Sequence, residues 1–546
     1  MDEYETIKSK TKRYHKVLNL MKKIYKYESF KPRQYEIINN IISKNDVCAI
    51  LPTGYGKSLT FQLSALYIGK PAIIISPLIS LMEDQRLILD KLKITSCCYN
   101  STIPIAERMD IRKDILDNKY QFIYITPETV TKQHDFLEKI DLKLGISLIA
   151  IDEAHCISSY GFEFRVAYRE LSFIRDIIPD VPILAVTATA TDQVIVDICT
   201  VLKLSEPKII KTSFDRENLF LHIGTKSKTI SADIMPIINN KHASIIYCLT
   251  RKDTEKITDL LKLNKIDCGT YHAGLTSSVR TEIHHAFINN KIKCIVATNA
   301  FGMGINKADV RVVIHYGSPN SIESYYQEIG RAGRDGLESH CYLFYSTRDF
   351  LVNQLLIENI KNPTHRFHRI MLLQRMKKFI TEPECKRKIL LKYFDEDYLP
   401  DNCAHCDYCI KSNTIKPDSS TKLLLNADTK KEAMMIINLV STVQQKSQYT
   451  YGVNTFVNVI KGSKANSVPI KLTKSPYYGL GKNHTTEWWK DFIRLLIDKE
   501  YLEEKCISNG FFIKVLCVTD AGLEFVEINK CKEIFGDEFV IDSTMF

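Results

Sequence analysis

Short apolar runs rich in β-branched residues recur along this chain, each closed by polar, Gly or Pro residues and followed by an amphipathic stretch of helical length. The first set lies at 47–51, 72–76, 122–126, 147–151 and 183–187; after a linker near Lys211 a second set follows at 244–248, 293–298 and 310–315. Strands that alternate with helices and are apolar on both sides build parallel sheets covered on both faces. The pattern therefore predicts an α/β protein with two tandem lobes, residues 1–211 and 212–350. At 546 residues the chain exceeds what one hydrophobic core serves, so further domains are expected.

Beyond residue 350 the pattern changes to helix and then to a cysteine cluster over 351–412, a polar linker over 413–429, a small α+β segment over 430–528 and a tail over 529–546. With 45% hydrophobic and 25% charged residues the composition is that of a folded chain. Lys and Arg outnumber Asp and Glu by 74 to 64, which suits a polyanionic partner without demanding one. The N-terminus carries no apolar signal core and no run reaches a membrane-span length of about 18 residues, so an intracellular, soluble protein with no membrane partner is expected. Twelve of the sixteen cysteines are scattered through apolar segments and read as reduced core residues.

Directly after the first predicted strand comes Thr53-Gly54-Tyr55-Gly56-Lys57-Ser58. A glycine-rich loop between a strand and a helix turns backbone N–H groups toward β- and γ-phosphates, with Lys57 neutralising them and the Ser58 hydroxyl on Mg²⁺. Leu51 stands where the general pattern has its first glycine. The fourth predicted strand runs into Asp152-Glu153-Ala154-His155, carboxylates at the strand end where open α/β sheets bind ligands. Asp152 can hold Mg²⁺ through water and Glu153 can polarise an attacking water. A solvated Gly-rich turn and a solvated acidic turn are the bland alternatives; their pairing in this order favours an ATP site.

Cys385 and, after seventeen intervening residues, Cys403, Cys406 and Cys409 offer four thiolates at short spacing, which suits tetrahedral Zn²⁺ in a closed structural site. An iron–sulfur cluster is the rival. In the last segment Trp489, Ile493 and Leu496 fall on one helical stripe, read as core. Strands at 504–508 and 511–515 flank Asn509-Gly510, a two-residue hairpin signal.

These motifs resemble superfamily 2 helicases, and the surrounding residues narrow the resemblance to the RecQ family. It begins at Tyr27-Glu28-Ser29-Phe30-Lys31-Pro32-Arg33-Gln34 and continues through Ser76–Gln85, Thr187-Ala188-Thr189-Ala190, Ser213–Leu219 and Tyr271–Leu275 to Gln327-Glu328-Ile329-Gly330-Arg331-Ala332-Gly333-Arg334-Asp335-Gly336. The resemblance implies two RecA-like lobes, a helical zinc-binding subdomain and a winged-helix domain. It implies that Gln34 reads the adenine edge and Tyr27 stacks on it, with Lys31 where the family usually has Arg. Arg331 and Arg334, three apart and expected on one helical face, would reach the γ-phosphate from the second lobe, Arg334 as the finger with Arg331 and Gln327 in support.

The segment Cys156–Arg165 is similar to the family's aromatic-rich loop, whose rings stack on unpaired bases, here with Tyr160 in place of a tryptophan and Phe162 in place of a histidine. The resemblance places strand contacts at Ser80, Thr126, Tyr160, Phe162, Phe164, Arg165, Arg251, His272 and Thr298, mainly to phosphate and sugar. It favours zinc at the four cysteines and offers Phe511 or Phe512 as a strand-separating wedge, beside a plain structural wing. Because the sequence stops at Phe546, the extra C-terminal helical module of many members is expected to be missing.

The expected function is an ATP-dependent DNA helicase moving 3′ to 5′ on single-stranded DNA and opening forked duplex, in replication, repair or recombination. Its place of work would be the nucleus, the nucleoid or a viral replication site. An RNA helicase is the alternative. A binding scaffold without catalysis is disfavoured because Lys57, Asp152, Glu153 and Arg334 are all present.

Overall fold

The computed structural model describes residues 12–158, 164–302, 307–398, 400, 402–414, 429–446, 451–463, 468–508 and 512–535. They form two compact units, residues 1–415 and 416–546.

The first unit contains two parallel sheets. The first has seven strands in the order β3-β4-β2-β5-β6-β1-β7: β1 Val47–Ile50, β2 Ala72–Ile75, β3 Ser96–Tyr99, β4 Phe122–Ile125, β5 Ile149–Ile151, β6 Ile183–Thr187 and β7 Lys208–Lys211. The second has six in the order β10-β11-β9-β12-β13-β8: β8 Leu219–Thr225, β9 Ala243–Cys248, β10 Cys268–Tyr271, β11 Cys294–Ala297, β12 Val310–Tyr316 and β13 Ser339–Tyr345. Alternate residues of one strand join different cores, as a sheet covered on both faces requires. Val47 and Ala49 pack with Ile74, Tyr124 and Ala150 on one side, while Cys48 and Ile50 pack with Ile73, Ile123 and Ile149 on the other. Each large aliphatic side chain so buried stabilises the fold by about 1.5–3 kcal/mol.

The eight predicted strands are all present, and β3, β7, β8, β10 and β13 join them. Four of these five contribute the sheet edges, where one side of the strand has no partner and the hydrophobic signal thins. In β7 only Ile210 is buried, so Lys211, expected in a linker, instead closes an edge strand paired with β1.

Residues 12–42 contribute the helices Lys12–Tyr25 and Gln34–Ile42, which pack on the first lobe through Val17, Met21 and Ile38. After the second sheet, the helix Thr347–Glu358 runs across residue 350, where the second lobe was expected to end. The helices Pro363–Thr381, Lys386–Tyr393 and Asp407–Thr414 follow, the last extending into the stretch predicted as linker. These helices are joined to the second lobe: Phe379 packs on Tyr325 at 5.4 Å, and the Leu221 N–H of edge strand β8 donates to the His405 carbonyl at 2.8 Å.

The second unit comprises the helices Lys430–Lys446, Val453–Ile460, Ile470–Thr473 and Thr486–Asp498, an antiparallel hairpin of β14 Leu502–Ser508 and β15 Phe512–Val518, and the helix Asp520–Phe535. The predicted stripe Trp489, Ile493 and Leu496 is fully buried against Ile436, Val440, Phe456 and Val457. Thr485 caps its helix by accepting the Trp488 N–H at 3.1 Å. The last described pair of the hairpin is Ser508 with Phe512; the turn expected at Asn509-Gly510, and Phe511 with it, lie outside the described residues. The side chain of Phe512 also lies outside them. The final helix continues past residue 528 to Phe535, into the expected tail. Among the described residues no helix is long and apolar enough to cross a membrane.

Candidate functional site

The C-terminal end of β1 feeds a loop over Leu51–Gly56 and then the helix Lys57–Ile68. Leu51, in the place of the usual first glycine, is fully buried in the sheet core, and its N–H donates to the Thr187 carbonyl at 2.9 Å. That position therefore anchors the loop rather than bending it. The bend comes from Gly54 and Gly56, whose φ values of 80° and 96° suit glycine. A Cβ on Gly56 would also sit 2.7 Å from the Gln34 amide nitrogen, so both conformation and space require glycine there. Lys57 opens the helix, and its ammonium lies 3.5 Å from the Glu153 carboxylate.

Asp152 and Glu153 follow β5, both buried. The Asp152 carboxylate accepts the Glu153 N–H at 3.0 Å, and the Tyr168 hydroxyl donates to the Asp152 carbonyl at 2.8 Å. Burial and the neighbouring Glu153 push the Asp152 carboxyl up to about 7. Burial acts the same way on Glu153, but Lys57, His155 and Arg331 outweigh it and hold that carboxyl below its usual range. Two adjacent buried carboxylates beside one ammonium leave surplus negative charge, the donor set that a hard divalent cation such as Mg²⁺ satisfies. His155, pushed down to about 4 by burial, is neutral at physiological pH and bonds the Thr187 hydroxyl at 2.7 Å. The carboxylate turn is thereby tied to the end of β6.

The second lobe supplies Gln327, Arg331 and Arg334, which line the same cleft of about 710 Å³ as Thr53–Ser58, Asp152 and Glu153. The two arginines do not share a helical face. Their helix, Ile322–Ile329, ends before them, and Arg331 and Arg334 stand on the following turn. Gly333, at φ 56°, permits that turn. A Cβ added to Gly54 would meet Arg334 Cγ at 2.9 Å, so this arginine lies directly over the phosphate loop. Burial, then Arg331 and Arg216, lower the Arg334 guanidinium to about 9. Convergent buried arginines repel one another, and a polyanion between them relieves the cost.

Tyr27 is 56% exposed at the cleft mouth, available for stacking. Gln34 is buried, and its amide is engaged at both ends: the oxygen accepts the Lys31 N–H at 2.9 Å and the nitrogen donates to the Tyr55 carbonyl at 2.8 Å. One N–H and one lone pair remain for a base edge. The Lys31 ammonium donates to the Gly54 carbonyl at 3.1 Å and lies 5.3 Å from the centre of the Tyr55 ring. The Tyr55 hydroxyl donates to the Pro32 carbonyl at 3.0 Å. Tyr55 thus locks the base-side segment onto the phosphate loop, a part the motif spacing did not reveal because its position in the loop pattern is free.

The four cysteine Sγ atoms at 385, 403, 406 and 409 lie within 4.8 Å of one another, and all four residues are buried. The Cys385 and Cys406 sulfurs are 4.0 Å apart. Tetrahedral zinc with Zn–S bonds of about 2.3 Å needs sulfurs about 3.8 Å apart, so the set fits. The crowded thiols act on one another in opposite directions: hydrogen bonds with Cys385 and Cys403 push Cys406 far below its usual range, and those with Cys385 and Cys406 push Cys403 far above it. His405 is not in this group; its ring packs on Phe220 at 4.3 Å.

Of the residues expected on a nucleic-acid strand, Arg251 and His272 come together in the second lobe, both within 3.3 Å of where a Cβ on Gly274 would stand. Thr298 lies at the next strand end, its N–H donating to the Tyr271 carbonyl at 3.2 Å. In the first lobe Ser80 is exposed, while Thr126 is buried and its hydroxyl shares a 2.7 Å bond with Thr129. Arg165 donates to the Pro77 carbonyl at 2.8 Å, and the Phe164 ring meets His365 edge-on at 6.1 Å. Tyr160 and Phe162 lie outside the described residues.

Known proteins match this arrangement along nearly its whole length. The DEAD/DEAH box helicase family matches residues 31–198, the helicase conserved C-terminal domain 227–336, the RecQ zinc-binding family 347–410 and the RQC domain 426–533. The RecQ ATP-dependent DNA helicase of Bacillus subtilis is 35% identical over 507 residues, 91% of this chain and 81% of its own length. The chain belongs to the RecQ family. A putative ATP-dependent RNA helicase of Acanthamoeba polyphaga mimivirus is 52% identical over 533 residues, 97% of this chain and 95% of that protein. The mouse bifunctional 3′-5′ exonuclease/ATP-dependent helicase WRN is 38% identical over 535 residues, 94% of this chain but 37% of that protein. The DUF1998 helicase MrfA bound to DNA superposes with a TM-score of 0.51 at 19% identity, covering 70% of this chain and 57% of that one, which shows the shared fold.

This RecQ protein is an ATP-dependent helicase, with ATP and Mg²⁺ as its nucleotide cofactors, zinc in its cysteine module and nucleic acid as its partner.

Proposed function

We propose that this RecQ helicase works on DNA, moving 3′ to 5′ along a single strand and opening forked duplex in replication, repair or recombination, in a nucleus, a nucleoid or a viral replication site. The observation that carries this reading is the inter-lobe cleft, where Lys57, Asp152 and Glu153 of one lobe face Gln327, Arg331 and Arg334 of the other. Bound ATP with Mg²⁺ supplies the phosphoryl group and the cation held through Ser58 and Asp152. Lys57 neutralises the transferring group, Glu153 orients the attacking water, and Arg334 stabilises the developing charge, with Arg331 and Gln327 beside it. Since the charge-stabilising groups come from both lobes, turnover requires the lobes to close and lets them part afterwards.

Ser80, Thr126, Phe164 and Arg165 of one lobe and Arg251, His272 and Thr298 of the other are offered here as the strand contacts. Tyr160 and Phe162 are part of the same proposal. A DNA substrate is supported by the zinc-binding helices and the segment matching the RQC domain, which accompany the motor in the B. subtilis DNA helicase's family.

RNA is the second reading, favoured by the name of the 52% identical mimivirus relative. ATP hydrolysis measured without nucleic acid, with single-stranded DNA and with single-stranded RNA decides between them. Stimulation by DNA, with unwinding of 3′-tailed but not 5′-tailed duplex, is expected; stimulation by RNA alone overturns the DNA reading.

The base side is tested by Gln34→Ala. Loss of the amide is expected to raise the ATP KM about tenfold and to narrow the preference for ATP over GTP, since one hydrogen bond is worth about 1–1.5 kcal/mol. An unchanged ratio of kcat/KM for the two nucleotides removes Gln34 from base recognition.

A further inference from the structure

The segment between β7 and β8, residues 212–218, carries the chain from the first sheet to the second, and its backbone and side chains are bonded to three separate parts of the unit. Toward the zinc-binding helices, the Phe214 N–H donates to Glu396 at 2.7 Å, the Phe214 ring stacks on Phe394 at 4.4 Å, and Asp215 pairs with Arg387. Arg387 also donates to the Leu219 carbonyl at 2.7 Å. Toward the second lobe, the Tyr326 hydroxyl donates to the Phe214 carbonyl at 2.8 Å, and the Asn218 amide donates to the Gly333 and Leu337 carbonyls at 3.0 and 2.9 Å.

Arg216 stands at the centre. Its guanidinium donates to the Ala332 and Gly333 carbonyls at 3.0 and 2.8 Å and, from another nitrogen, to the Thr53 carbonyl at 3.3 Å. Thr53 precedes Gly54 in the phosphate loop, and Ala332 and Gly333 lie between Arg331 and Arg334. One side chain therefore holds the loop of one lobe and the arginine turn of the other. A planar fork sends its five donors out from three nitrogens, so it can bridge acceptors on two separate elements, whereas a lysine's three donors radiate from a single nitrogen. Its acceptors in these two elements are backbone oxygens, so the bonds depend on where the backbone stands.

We infer that Arg216 is a positioning residue for ATP turnover, a staple that sets the Arg331–Arg334 turn against the phosphate loop when the lobes close. The inference rests on the reading of Arg334 as the γ-phosphate finger. Positioning of this kind acts on the transition state more than on ground-state binding, so its loss falls on kcat.

The test is steady-state ATP hydrolysis by the full chain with saturating single-stranded DNA, comparing Arg216→Lys, Arg216→Gln, Arg334→Ala and the Arg216→Gln/Arg334→Ala pair, with melting temperatures alongside. Both Arg216 variants are expected to lose about tenfold or more in kcat with the ATP KM changed by less than about threefold. The pair is expected to fall no more than about threefold below Arg334→Ala, since a staple has nothing left to position. If Arg216→Gln does not fold, Arg216→Lys decides by the same split. Unchanged kcat in the folded Arg216 variants, a loss confined to KM, or independent multiplying losses in the pair each overturn the staple. Wild-type turnover in Arg334→Ala overturns the finger reading, and the staple with it.

Discussion

Lys57→Ala is expected to abolish measurable ATP turnover, a loss of about 10³-fold or more, in a protein that still folds and still binds single-stranded DNA. The ammonium has two tasks at one place. It would neutralise the phosphates over the loop, and it lies 3.5 Å from Glu153, where it helps to keep that buried carboxyl ionised. Alanine removes both at once, and among the described residues no other Lys or Arg of the first lobe pairs with Glu153. Hydrolysis measured by phosphate release, with far-ultraviolet circular dichroism as the folding control, checks the result. Normal hydrolysis in a folded Lys57→Ala protein would place the reaction elsewhere than in this cleft.

Removal of zinc is expected to have the second large effect. Four buried thiols left without a metal lose the interaction that offsets their crowding, and structural zinc sites contribute about 10–16 kcal/mol of binding in small domains. The damage should not stay local. Arg387 on the helix Lys386–Tyr393, with Phe394 and Glu396 just beyond its end, holds residues 213–215 between the two sheets. Cys406→Ser, or incubation with a strong chelator, is therefore expected to release the metal, lower the melting temperature by about 5–15 °C and reduce ATP turnover together. Released zinc is read with a colorimetric chelator. A chain that binds no zinc as purified, or one whose stability is unmoved by its loss, contradicts the assignment of the four cysteines.

The motor's parts were legible in the sequence because each is a short string whose chemistry is local. The phosphate loop needs glycine at two left-handed positions next to a lysine, the carboxylate pair needs only the end of a strand, and the thiolates need short spacing. The same locality explains the failures. Strands β3, β7 and β10 carry too few apolar residues to stand out, and they form because buried neighbours supply the other half of the ladder. Arg331 and Arg334 were expected on a helix from their spacing, but the helix stops at Ile329 and the turn around Gly333 carries them instead. Gln34 was legible as a candidate base reader, whereas its engagement with Lys31 and Tyr55 was not.

The amino-acid sequence by itself thus determined the two α/β lobes and the family, and it marked the candidates for ATP and metal binding. Only the tertiary structure decided how these meet: Tyr55 against Lys31 and Pro32, Arg334 over Gly54, and Arg216 between Thr53 and Gly333. The physical reason is that most of these bonds end on backbone carbonyls far away in the chain. A carbonyl is present at every residue, so no residue type marks the one that will be used, and only the folded path of the chain selects it.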